Sequence, residues 1–488
     1  MAVLVTLVAY KLTLVAIGLA ARERNRDGAD YFLGGRALGP LVASVSASAS
    51  SSSAWTLLGV SGFAYSSGAS AIWLFPACVG GFVLNWYVLA PALRRHPGAA
   101  GALTVTEILA GSGGDPSGRR AVNALGSAAV LVFMTTYVAS QFQGAGKTFS
   151  ETFGLPAAHS LLIGAAIVVF YTLLGGFWAV SLTDTLQGLV MAATALILPA
   201  AALLAVGSPA RLLDGLAQSA PPGFTDPLQG MGIAAGAGLV LGLLGIGLGY
   251  PGQPHVVNRF MALRPGAAEL RQARRIAIAW AVLVYAGMLL LGWCGRVLFP
   301  GLGDPEVVFL TAANALCPPV LAGVMVAAVL SAIMSTADSQ LLVAASSVTH
   351  DLPRRRAAGR RLVAQSRAVV LALAGAATLA ALAGPREIFS PVLVAWGALG
   401  ACFGPPLLAV CFGRRLTPRR ILCAMGAGLA LTVLGALYRS QVGGSWGAPL
   451  ERVLPFVAAW AICFWPSARG SAAVGREGTR DLESRSRN

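Results

Sequence analysis

Two stretches of this chain carry oxygen where an apolar run ordinarily carries carbon. One is Ser44-Val-Ser-Ala-Ser-Ala-Ser-Ser-Ser-Ser-Ala-Trp55, and the other is Leu330-Ser-Ala-Ile-Met-Ser-Thr-Ala-Asp-Ser-Gln340. In the second, helical spacing puts Ser331, Ser335, Asp338 and Ser339 on one face, with Thr336 beside them. Neutral hydroxyls, joined by carbonyls freed where a helix breaks, are hard ligands suited to a monovalent cation at membrane depth. The two stretches together could form a sodium site. Plainer readings stay open, since small residues also line close helix contacts in membranes and Ser or Thr can return a hydroxyl to the carbonyl one turn back. Asp338 is harder to explain by packing, because a carboxylate inside a span is costly unless paired or wet.

Composition says what must position these residues. Hydrophobic residues make up 56% of the 488 and charged residues only 11%, with a mean hydropathy of +0.72. This is the profile of an all-α polytopic membrane protein. The net charge of +16 is gathered in short segments between apolar runs, so nucleic acid is not an expected partner. Seven cysteines without Cys-x-x-Cys spacing read as small hydrophobes rather than metal ligands or a disulfide framework, and four scattered histidines add no metal constellation. No Walker-type Gly-rich loop is present, so transport by this chain would draw on an ion gradient or a partner. No nucleophile–base pair stands in the spans, and an enzyme is not expected.

Thirteen apolar runs are long enough to cross a hydrocarbon core of roughly 30 Å. They lie near 3–21, 41–64, 71–92, 122–145, 160–177, 186–206, 232–250, 276–299, 318–346, 367–384, 388–413, 421–438 and 453–467. Alternating sides of these spans collect 28 and six Lys and Arg residues. The positive-inside bias therefore predicts an N-terminus outside and a C-terminus in the cytoplasm. The first run has Lys11 within it and arginines after it, the reverse of a cleaved signal peptide. Residues 1–467 read as one transmembrane domain, and 468–488 as a disordered cytoplasmic tail.

Setting aside the first span and the last two leaves ten, which divide into halves of five with opposite orientation, about 41–206 and 232–413. The leading span of each half is the most interrupted by small residues. In the second half Gly242, Gly245, Gly247 and Gly249 precede Tyr250-Pro251-Gly252-Gln253-Pro254. Paired interrupted helices at matching places are the sequence pointer to a transporter site near the bilayer midplane; glycines placed only for tight packing are the other reading.

Seven blocks then resemble the sodium:solute symporter family, and within it the sodium/proline symporter branch. They are Asp30-Tyr-Phe-Leu-Gly-Gly-Arg-Ala-Leu-Gly39, Gly59-Val-Ser-Gly-Phe-Ala-Tyr-Ser-Ser-Gly68, Gly175-Gly-Phe-Trp-Ala-Val-Ser-Leu-Thr-Asp-Thr-Leu-Gln187, Gly247-Leu-Gly-Tyr-Pro-Gly-Gln-Pro-His255, Asn258-Arg-Phe-Met-Ala262, Met334-Ser-Thr-Ala-Asp-Ser-Gln-Leu-Leu342 and Thr349-His-Asp-Leu352. Beyond residue 366 only hydropathy supports the match.

The resemblance implies a leucine-transporter-like fold of 13 transmembrane helices: a five-plus-five inverted-repeat core with one extra helix before it and two after. It implies a cell-membrane symporter that imports a small solute with sodium by alternating access, with no other cofactor. Proline or a similar amino acid is the expected solute; a sugar, a carboxylate, a pantothenate-like metabolite, or a sensor that binds without carrying, are the alternatives. By resemblance, the main sodium site falls on the carbonyls of Ala49, Ser52 and Ala332 and the hydroxyls of Ser335 and Thr336. A second sodium, held by some relatives, maps onto Asp184, Asp338 and Ser339. Tyr137, Tyr250 and Pro254 map to the solute, and Arg36 to a gating or coupling position. Two positions of the solute region depart from the branch, with Ser51 where Asp is usual and Ile246 where a tryptophan is. Residue by residue, Asp184 could instead cap a helix beside Ser181 and Thr183, Arg36 could be a positive-inside anchor, and the tyrosines could be packing groups.

Overall fold

The computed structural model describes residues 2–21, 32–112, 115–174, 177–218, 221, 223–353 and 359–466. The expected tail at 468–488, and residues 30, 31, 175 and 176 of the family-like blocks, lie outside them. Among the described residues the chain is helical, and its one β feature is an isolated bridge between Leu38 and Leu263.

The apolar runs are carried by helical segments, several runs by more than one segment and the second across a break, and the main helices are labelled here. In chain order these are α1 (Ala2–Ala21), α2 (Pro40–Ser51), α3 (Val60–Ser67), α4 (Leu74–Val83), a short α5 (Val105–Gly111), α6 (Pro116–Phe153), α7 (Ala157–Leu174) and α8 (Phe177–Val206). They continue with α9 (Ile233–Leu244), α10 (Pro254–Ala262), α11 (Ala267–Leu298), α12 (Val308–Leu316), α13 (Pro319–Ser346), α14 (Gly359–Ala383), α15 (Phe389–Cys411), α16 (Pro418–Gln441) and α17 (Leu454–Phe464). By length and composition, ten helical runs among the described residues are able to cross a membrane. One of them, Trp55–Arg95, joins the second and third apolar runs, although Gly68 between them takes a left-handed φ of 60°.

Local chemistry starts and stops these helices. Asp115 accepts from the Ser117 and Gly118 amides ahead of α6, with Pro116 at the first helical position. Thr104 and Glu107 satisfy two amides at the head of α5: the Glu107 amide donates to the Thr104 hydroxyl, and the Leu103 amide to the Glu107 carboxylate. At 38 residues, α6 is about 57 Å long and projects beyond a hydrocarbon core of roughly 30 Å.

Burial identifies the centre. In α13 and α15, 83% and 89% of the most apolar stretch is buried, against 28% in α14. α13 packs on α2, α6, α8, α1 and α14, while α15 packs on α6, α16, α17 and the tightened segment Gly245–Gly252 after α9. Small residues permit this closeness. A Cβ on Gly188 of α8 would lie 2.6 Å from Val45 and 3.1 Å from Ala49, so α8 can sit directly on α2 only as glycine.

Candidate ion and solute site

The serine stretch breaks its own helix. α2 ends at Ser51, and Ser52 takes φ −115° and ψ 87° while its amide turns back to the Ala49 carbonyl at 3.1 Å. Serine hydroxyls offer the backbone partners outside the helical ladder, and the unwound residues use them. The Trp55 amide donates to the Ser53 hydroxyl at 3.1 Å, and Gln141 of α6 accepts from the Ala54 amide at 3.0 Å. Buried backbone groups at a break need such partners, and Gln141 is one that the sequence did not single out.

α13 meets this break with hydroxyls. Ser335 Oγ stands 3.3 Å from both the Ala49 and Ala332 carbonyls, and Thr336 donates to the Ser50 carbonyl at 3.1 Å. Thus Ala49, Ala332 and Ser335 come together, Ser52 forms the turn beside them, and Thr336 reaches the same break one carbonyl along. All five residues are fully buried. What results is a cluster of neutral oxygens from two helices, the donor set suited to a hard monovalent cation.

One turn further along, the second set forms around Asp184. Its Oδ2 accepts from Ser46 at 2.9 Å and Ser50 at 3.0 Å, both on α2, and Ser50 also meets Ser339 of α13 at 3.1 Å. Asp338 accepts from Ser339 at 3.3 Å. Asp184 lies well inside α8, which begins by Phe177, so the capping alternative is overturned; the helix starts earlier than the apolar run at 186 implied. Arg259 of α10 completes this cluster: one guanidinium nitrogen is 3.0 Å from Asp184 and 2.5 Å from Ser339, and Nε is 3.2 Å from Ser46. The charge count placed Arg259 among loop charges, whereas it is 1% exposed. Its place in the Asn258–Ala262 block was the signal that could have found it.

The second interruption mirrors the first. After α9 the backbone tightens through Gly245–Gly252 and leaves the helix at Gln253, with φ −91° and ψ 100°, before Pro254 opens α10. Tyr250 and Tyr137 converge on Trp396 of α15, with ring centroids 4.7 and 6.4 Å away, and Phe82 flanks Tyr250 at 5.3 Å. Tyr137 donates to the Ser53 hydroxyl at 3.2 Å, and the Tyr250 and Tyr285 hydroxyls meet at 2.8 Å. Ile246 supplies its carbonyl to the Trp396 indole at 3.1 Å. Gly249 makes room, since a Cβ there would stand 2.2 Å from the indole. Trp396 thus sets its ring against the backbone of Ile246 from 150 positions away. Ser51 turns back on its own helix, donating to the Ser48 carbonyl at 2.9 Å.

Contacts between elements cross this core at both ends. At one end the Leu38 amide donates to Ala262 and the Arg264 amide to Leu38, while Arg36 donates to the carbonyls of Ala102 at 2.5 Å and Met261 at 3.4 Å. Arg36 therefore bridges the approach to α2 and the end of α10. At the other end Lys147 of α6 pairs with Asp304 at 2.6 Å and Glu306 at 2.5 Å. Glu306 also accepts from the Ile388 and Phe389 amides, and Phe389 stacks on Trp55 and Phe63 at 5.5 and 4.9 Å.

Known proteins share this sequence and architecture. The family model described as "Sodium:solute symporter family" matches residues 31–428. The osmoregulated proline transporter of Bacillus subtilis is 35% identical over 442 residues, 88% of each chain. The sodium/proline symporter of Escherichia coli is 35% identical over 444 residues, 88% of this chain and 87% of its own. In structure, the chain superposes on a Na+-coupled sialic acid symporter solved in a substrate-bound outward-open state, with a TM-score of 0.75 at 16% identity, covering 96% and 98% of the two chains. It also superposes on Mhp1, a nucleobase-cation-symport-1 family transporter, at a TM-score of 0.56 and 16% identity, over 89% and 92%. With two broken helices framing its core and a match along most of its length, the chain belongs to the sodium:solute symporter family.

Proposed function

We propose that this chain is a sodium-coupled symporter that imports proline, or an amino acid of similar size, across the cell membrane by alternating access. In this reading thirteen helices cross the bilayer, ten of them as two inverted repeats of five, with the N-terminus outside and the C-terminus in the cytoplasm. The observation that carries it is the position of Ser335 Oγ, 3.3 Å from carbonyls on two helices at the break in α2. The proline solute is supported by what the relatives carry, and by an aromatic wall of Tyr137, Tyr250 and Trp396 directly against Ser53 of the same break.

Sodium would bind to the carbonyls of Ala49, Ser52 and Ala332 and to Ser335 and Thr336. The two hydroxyls must then turn their protons away from the carbonyls they now serve, exchanging hydrogen bonds worth about 1 kcal/mol each for ion–oxygen contacts. The ion ties α2 to α13, which fixes Ser53 and the Tyr137 hydroxyl beneath the solute. Outward opening releases Lys147 and Phe389 from their partners, and inward opening releases the Leu38–Leu263 bridge and Arg36. Each end is held by a few hydrogen bonds and ring contacts, so a ligand with modest differential affinity can move the balance.

Purified protein in sealed proteoliposomes with labelled proline tests this. Accumulation above equilibrium only under an inward sodium gradient is the expected result. Binding without accumulation would make the chain a sensor, uptake of another solute would move the specificity, and sodium-independent uptake would reject the coupling ion.

A further inference from the structure

Beside the bridge between Leu38 and Leu263 lies a cavity of about 240 Å³, lined by two arginines, Arg36 and Arg94, and by apolar side chains such as Phe260 and Leu263. It opens past Ala100 and Pro265, both exposed, on the side where the charge bias places the cytoplasm. Both guanidiniums are held by backbone. Arg36 donates to the Ala102 and Met261 carbonyls, and Arg94 to the carbonyls of Leu263 at 2.7 Å and Arg264 at 2.9 Å. Each terminal nitrogen makes one such bond, so further N–H groups remain on planar donors whose orientation is already set. Arg36 is placed by a turn in which Gly34, Gly35 and Arg36 itself take left-handed φ of 57°, 62° and 56°, a conformation that a residue with a side chain rarely adopts.

No carboxylate answers these charges inside the cavity. Neither Asp nor Glu stands among the described residues that line it, and Glu269, whose charge reaches Arg94, is paired with Arg264 at 3.2 Å. Two oriented guanidiniums without a carboxylate suit the several oxygens of a phosphate group, which accepts from both forks at once. Basic pockets between membrane helices on the cytoplasmic side are the usual seats of such groups.

We propose that Arg36 and Arg94 form a phosphate-group site, filled by free phosphate or by a phospholipid head group, that clamps the inner end of the protein. Arg36 comes from the approach to α2 and Arg94 from the helical segment Ala90–Arg95, while three of the four carbonyls they hold belong to α10 and the residues after it. A phosphate between the two arginines adds bonds across elements that inward opening must separate, and so favours the state closed on this side. The clamp rests on the alternating-access reading above; the site itself does not.

The test begins with equilibrium binding of radioactive inorganic phosphate to the delipidated full-length protein in maltoside detergent. Wild type is expected to bind one phosphate per chain saturably, and Arg94→Gln to bind it about ten- to a hundredfold more weakly, the loss of one charge-assisted pair. Should Arg94→Gln fail to give monodisperse protein, Arg36→Gln is measured with the same expectation. Nanodiscs containing phosphatidylglycerol then separate the sources: displaced phosphate identifies the head group as the occupant, and retained phosphate identifies the free ion. No saturable phosphate in detergent, or equal binding in wild type and a well-folded variant, overturns the site. The occupant so identified is finally added to phosphatidylcholine proteoliposomes, where initial proline uptake is expected to fall severalfold in wild type and less in Arg94→Gln. Unchanged uptake with the site filled overturns the clamp. Proteoliposomes that take up no proline under any condition overturn the function proposed above, and the binding measurement still decides the site.

Discussion

Replacing Ser335 with Ala removes one oxygen from the break and little else. Its Oγ lies 3.3 Å from each of two carbonyls, long for O–H···O contacts, which cluster near 2.7–2.8 Å. Those bonds are therefore weak, roughly 0.5 kcal/mol each at the low end of the usual range. A hydroxyl that serves a charged partner contributes about 1.5–3 kcal/mol. The mutation thus costs the ion-bound state more than the ion-free state, by roughly 1–2.5 kcal/mol. At 1.4 kcal/mol per decade, the sodium concentration for half-maximal proline uptake is expected to rise about five- to sixtyfold. Ser331→Ala is the control, because Ser331 is on the same helix but bonds Ala327 and the Tyr10 hydroxyl of α1; its sodium dependence is expected to move little. The assay is initial uptake against sodium in proteoliposomes, normalised to protein inserted. Equal sodium dependence in wild type and Ser335→Ala, with Ser331→Ala also unchanged, would refute the reasoning.

Other positions make separate predictions. Ser51→Asp places a carboxylate about 5 Å from the break, worth at most about 3 kcal/mol at an effective dielectric of 20; a fall in half-saturating sodium of up to a hundredfold is expected, and no change would show that the native serine was never a deficit. Trp396→Phe keeps a ring beside Tyr250 but leaves the buried Ile246 carbonyl without its indole donor, a loss of about 1–3 kcal/mol. Half-saturating proline should rise about tenfold or more with sodium affinity for the empty protein unchanged, and an effect on sodium binding alone would argue against a solute wall. Glu306→Gln removes one of the two carboxylates on Lys147 and weakens the clasp on Ile388 and Phe389. A cysteine placed at Phe63 is then expected to label faster from outside, and unchanged labelling would mean that this clasp does not hold the outer end shut.

The candidate site was legible in sequence to the extent that its chemistry is local. Ser335 and Thr336 stood out as hydroxyls in an apolar run, and both reach the break in α2. Arg259 was miscounted because a basic residue near the end of an apolar run looks the same whether it faces water or a buried carboxylate. The capping alternative for Asp184 failed for a related reason: a helix start cannot be told from an interior when the apolar pattern begins late. Trp396 lay in a span with no polar signal, and its role arises from the space left by Gly249 and the carbonyl of Ile246 on another helix.

The sequence by itself determined that the chain is a bundle of apolar helices with two interrupted segments, since hydropathy, glycine and serine act through the residue that carries them and its near neighbours. It also determined the family, through blocks that are contiguous in the chain. Only the tertiary structure decided that the break at Ser52 faces Ser335, that the Trp396 indole reaches the Ile246 carbonyl, and that Arg259 lies on Asp184. These pairings join residues 75 to 286 positions apart. Their partners are chosen by how α2, α8, α10, α13 and α15 pack, a property that no single stretch of the chain contains.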